Sequence, residues 1–114
     1  MKITHNNNSA NFIIEGVKGS QRVDYIIRNK RGDERKGRCS NPNVFPEDKA
    51  EANGILNSIG KDGDGCTNLN VTIQIMSNAG SVLFEEEFSG LDLICLSEGD
   101  CGFFKQGEIF QFND

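Results

Sequence analysis

The chain has 114 residues and a mass of 12.6 kDa, which sets the expectation of a single domain over residues 1–114 with one modest core. Hydrophobic residues make up 36% and charged residues 25%, too apolar for a disordered tail and too polar for a membrane protein. The net charge of -5 is unevenly spread: residues 1–61 carry eleven Lys/Arg against seven Asp/Glu, or +4, while residues 62–114 carry one against ten, or -9. No apolar run exceeds four residues, which excludes a transmembrane helix. The start, Met1 to Asn8, lacks the apolar stretch of a secretory signal, so the expected compartment is the cytoplasm.

Thirteen Asn and thirteen Gly punctuate the chain, and between them apolar residues alternate at the strand period. Phe12 and Ile14 share one face of a first strand. Val23, Tyr25 and Ile27 share a face of the second, and residues 34–39 form a polar third strand that belongs at an exposed edge. His5, before an Asn run, reads as solvent-exposed. Pro46, followed by Glu47 and Asp48, opens a helix over about residues 46–59. Its apolar face is Ala50, Ala52, Ile55, Leu56 and Ile59. Gly54 weakens its middle by about 1 kcal/mol relative to Ala.

Strands resume with Val71, Ile73 and Ile75, then Val82, Phe84, Glu86 and Phe88 after the 77–80 turn. Residues 91–96 and 108–112 make the last two, with Leu93, Ile94 and Phe110 in the core. The expected fold is α+β: seven or eight mostly antiparallel strands around one central helix.

Chemical motifs are sparse. Asp62-Gly63-Asp64-Gly65 resembles a calcium loop, but the later positions that must supply oxygens hold Cys66 and Ile73. The four cysteines show no C-x2-C spacing, so no metal and no cofactor are expected. Without a secretory signal they are expected to be mostly reduced, with Cys101 within reach of Cys95 or Cys66. A single histidine leaves a triad or a histidine pair incomplete, and the expectation is that the chain is not an enzyme. The basic run Arg28, Lys30, Arg31, Arg35, Lys36 and Arg38 contains Asp33 and Glu34 and no interleaved aromatics, so nucleic acid is not an expected partner.

A protein partner remains. Glu85, Glu87, Asp92, Glu98 and Asp100 are the candidate carboxylates for a basic partner, with Phe103 or Phe104 as the aromatic anchor. In size, acidity and strand-rich layout the whole chain resembles the immunity proteins of bacterial contact-dependent inhibition and related polymorphic-toxin systems. That resemblance implies a cytoplasmic protein, a monomer or one half of a 1:1 complex. It would bind and neutralise a cognate toxin domain, often a nuclease, by covering the active site. A small-ligand or carbohydrate-binding β-domain with a Phe-lined cavity is the alternative.

Overall fold

A computed structural model describes residues 1–59, 65–95 and 101–105. Among these residues, eight strands and one helix run in the order β1 (Lys2–Asn6), β2 (Asn11–Glu15), β3 (Arg22–Arg28), β4 (Glu34–Arg38), β5 (Val44–Phe45), α1 (Lys49–Ile59), β6 (Gly65–Met76), β7 (Val82–Cys95) and β8 (Cys101–Lys105). All pairings are antiparallel, in a three-stranded sheet β1-β2-β5 and a five-stranded sheet β4-β3-β6-β7-β8. The α+β reading of the sequence holds. So does the edge position of the polar strand β4, whose exposed ends of charge suit a sheet border.

Alternation puts Val23, Tyr25 and Ile27 of β3 opposite Ile75, Ile73 and Val71 of β6, all facing the interior. The small sheet answers with Ile3, Phe12, Ile14 and Phe45, and α1 adds Ala52, Ile55, Leu56 and Ile59 to the same cluster. Aromatic rings fill the centre: Phe12 lies 4.9 Å from Phe88, 5.6 Å from Phe103 and 6.3 Å from Phe45 between centroids, and Phe45 lies 4.7 Å from Tyr25. These are favourable aromatic separations.

The helix begins at Lys49, three residues after the start expected at Pro46. Asp48 is its cap, accepting the Glu51 amide at 2.9 Å. Glu51 in turn accepts from the Glu47 amide at 2.7 Å and from the Ser40 amide and hydroxyl at 3.2 and 3.0 Å. One carboxylate thus satisfies backbone donors on both sides of the turn into the helix. Of the predicted face, only Ala50 is exposed.

Three other expectations are corrected. β1 is a strand, and His5 on it is half-buried, donating from Nε2 to the Phe103 carbonyl at 2.8 Å with its ring 5.0 Å from Phe12. The strands expected at 82–88 and 91–96 are one, β7, interrupted by a bulge at Ser89–Gly90, where Gly90 takes a φ of +68°. Cys95 and Cys101 face each other across β7 and β8 and are joined in a disulfide, while Cys39 and Cys66 are buried elsewhere in the core. The expected strand at 108–112, with Phe110, lies outside the described residues.

β8 is held from both sides. Beyond its ladder with β7, its outer edge meets the β1–β2 hairpin: the Phe103 amide donates to Ala10 O at 2.8 Å and the Lys105 amide to Asn7 Oδ1 at 2.9 Å. Gly102 permits this approach, since a Cβ there would overlap the Ala10 carbonyl oxygen.

Candidate binding surface

Every second residue of the five-stranded sheet faces away from the core, and the register lines these residues up. From the β4 edge inward come Glu34, Lys36 and Arg38, then Arg22, Asp24, Ile26 and Arg28, then Thr72 and Gln74, and finally Glu87 and Glu85 opposite them on β7. Arg22 pairs with Asp24 at 3.3 Å and Arg28 with Glu34 at 3.0 Å. Lys36 and Arg38 make no ion pair among the described residues, and with Arg22, Ile26 and Gln74 they line a shallow depression of about 470 Å³. The charge asymmetry of the sequence therefore becomes a polarity across one sheet face, cationic at β3–β4 and anionic at β7.

On β7 the residues Glu85, Glu86 and Glu87 are all exposed. Glu85 accepts one hydrogen bond, from Gln74 Nε2 at 3.1 Å, and none of the three pairs with a cation among the described residues. Glu86 points to the core side, opposite Ile73, between the half-buried Phe84 and Phe88. Val82 and Leu83 at the start of the strand are 47% and 46% exposed. They are the exposed apolar residues next to the carboxylates, and the sequence pattern hid them because Val82 sits in phase with core positions. A bulge at Leu83 breaks that phase: Ile75 faces Phe84 but Met76 faces Val82.

The remaining candidates do not join this surface. Phe103 is fully buried in the aromatic cluster, and Phe104, 2% exposed, packs with Ala10 and Ile94 on the opposite face, so neither can be an aromatic anchor for a partner. Asp92 is 4% exposed and also leaves the candidate surface. Its Oδ1 accepts the Asn68 amide at 3.1 Å, in a bulge where Asn68 adopts a φ of +56°. Its role is to satisfy a donor that the ladder abandons. Asp92→Ala is accordingly expected to lower stability by about 1–3 kcal/mol through the orphaned amide. Urea denaturation checks this, and an unchanged midpoint would return Asp92 to the surface set. Glu98, Asp100 and the Asp62–Asp64 segment lie outside the described residues.

Burial pushes the Cys39 thiol well above its ordinary value, with Glu51 and Asp24 adding to the shift, so it is held protonated and is no ready nucleophile. Among the described residues no three His, Cys, Asp or Glu side chains converge as a metal site, and no helix is long and apolar enough to cross a membrane. Phe12, Phe45, Phe88 and Phe103 pack together in the core, with Phe12 against each of the other three. Compared with known proteins, the chain matches no protein-family model, no curated protein and no solved structure.

Proposed function

We propose that this protein is an inhibitor of the immunity type, which binds a basic toxin domain in the cytoplasm, as a monomer in a 1:1 complex, and covers its active site. The observation that carries this reading is the exposed run Glu85-Glu86-Glu87 beside exposed Val82 and Leu83, with the cations of the sheet gathered two strands away. Three carboxylates that pair with no cation among the described residues project a field that accelerates encounter with a cationic protein, and the apolar residues beside them hold it after contact. A nuclease is such a partner, because its substrate is a polyanion.

The test seeks a basic toxin domain among the products of the neighbouring reading frames and measures its association with this protein at low and high salt. Reversing Glu85 and Glu87 to Lys together is expected to slow association by about tenfold or more at low salt, with the difference shrinking at high salt. Reversing Lys36 and Arg38 to Glu should leave the rate unchanged or raise it. If only the second pair slows binding, the partner is acidic and docks on β3–β4. If neither pair alters binding, electrostatic recognition of a toxin is refuted.

A further inference from the structure

Among the described residues, the ladder between β7 and β8 ends on the pair Cys95 and Cys101, which the disulfide locks together. The next two pairs carry the contact with the β1–β2 hairpin. Gly102, opposite Ile94, lies against the Ala10 carbonyl, and Phe103, opposite Leu93, donates its amide to that oxygen at 2.8 Å. The bond therefore fixes the start of β8 one residue away from the hairpin contact. It adds little to the rest of the fold, because a bridge between residues only six apart restricts the unfolded chain far less than a long one.

The surroundings suit a bond that opens and closes. Cys95 and Cys101 are half-buried at the rim of the core, whereas Cys39 and Cys66 are buried within it. Cys95 Sγ lies 4.0 Å from Asn53 Oδ1 on α1, so the thiol released by reduction has an acceptor within reach. Phe103 is fully buried against Phe12 and Phe45, contacts that involve no sulfur, so the core outlasts the bond. In a reducing compartment such as the cytoplasm of the proposed function, a disulfide is as a rule a redox sensor or a catalyst and not a permanent tie.

We propose that Cys95–Cys101 is a regulatory disulfide, opened by small thiols of the glutathione class, and that its state sets how firmly β8 holds the β1–β2 hairpin. One thiolate attacks a sulfur of the pair, the S–S bond breaks, and a mixed disulfide forms as the other cysteine leaves. A second thiolate then displaces the protein from the mixed disulfide. Two small thiols become one small disulfide, and the protein gains two electrons and two protons. The open form keeps its core while the first pairs of β8 fray. This switch rests on the cytoplasmic part of the proposed function and not on the identity of the toxin.

The experiment equilibrates the full chain in buffers of graded reduced-to-oxidised glutathione, then traps and locates thiols by alkylation and peptide mass. The expected result is one reversible two-electron transition at Cys95 and Cys101, with the pair reduced at cytosolic ratios. Across it, exchange of the Phe103 amide should rise about tenfold or more through local opening, and the imidazole resonances of His5 should shift. The amides of Tyr25 and Ile73, in the middle of the β3–β6 ladder, should keep their protection. Cys95→Ser with Cys101→Ser should show the open pattern at every ratio, and reduction of the unsubstituted chain gives the same comparison if that variant does not fold. The switch is overturned if the pair stays joined at cytosolic ratios, or never joins at the most oxidising one. It is also overturned if reduction leaves Phe103 exchange unchanged, or if Tyr25 and Ile73 lose protection with it, which would make the bond a support of the whole fold. A refuted switch with toxin binding retained leaves the toxin reading standing, and a working switch without toxin binding refutes that reading alone.

Discussion

Phe12→Ala is expected to destabilise the protein by about 3–5 kcal/mol, a large share of the total for a domain of this size. The ring is fully buried and touches His5, Phe45, Phe88 and Phe103, so its loss removes contacts with β1, β5, β7 and β8 together. The surrounding rings are themselves fixed by the two sheets and can collapse into the space only in part, so a cavity remains. Equilibrium urea denaturation measures the effect, and Phe84→Ala is the contrast. That ring is only half-buried near the start of β7, and its removal should cost less than half as much. Equal losses would mean that the two rings share one environment, which would contradict the burial assigned to them.

The second large effect is expected at Gly102. A valine there drives its Cβ into the carbonyl oxygen and the methyl group of Ala10. Backbone cannot swing aside as a flexible side chain does, so the cost should reach the upper part of the 1–3 kcal/mol typical of overpacking, or about 3 kcal/mol. The accompanying sign is local: as the hairpin lifts from β8, the His5 ring loses its 2.8 Å bond to Phe103, which a shift of the imidazole resonances would report. Gly54→Ala is the opposite case. Nothing lies within 4 Å of the added methyl group on the helix surface, and the change should stabilise by about 0.5–1 kcal/mol. A tolerated Gly102→Val would show that the hairpin does not sit on β8.

Where a strand has one wet face and one dry face, its residues announce it, and β2, β3 and β6 were legible for that reason. So was the helix, since Ala52, Ile55, Leu56 and Ile59 recur at its period. β1 was not, because only Ile3 on it is a buried apolar residue, too little for a period to register. β8 was misread for the opposite reason. Phe103 faces the main core and Phe104 a second small cluster under the hairpin, so a strand dry on both faces shows adjacent rather than alternating aromatics and mimics an exposed patch. Asp92 was illegible in principle. Its buried carboxylate answers an amide 24 residues away, and only the register of β6 against β7 brings the two together. Of the candidate surface, Glu85 and Glu87 were found from charge alone, while the exposure of Val82 and Leu83 depends on a bulge that no residue type signals.

The clasp between the β1–β2 hairpin and β8 has a consequence for how the molecule is made. The hairpin that contains His5 completes its contacts only on Phe103, 98 residues later. On a ribosome delivering about 5–20 residues per second, the first strands wait on the order of ten seconds for the segment that seals them. During that interval β1 and β2 cannot finish their half of the core, and closure across such a span makes folding slow relative to helical domains of equal length. Nascent chains stalled before residue 101 should therefore be fully sensitive to protease from their first residue. Resistance would reach the β1–β2 hairpin and β8 together.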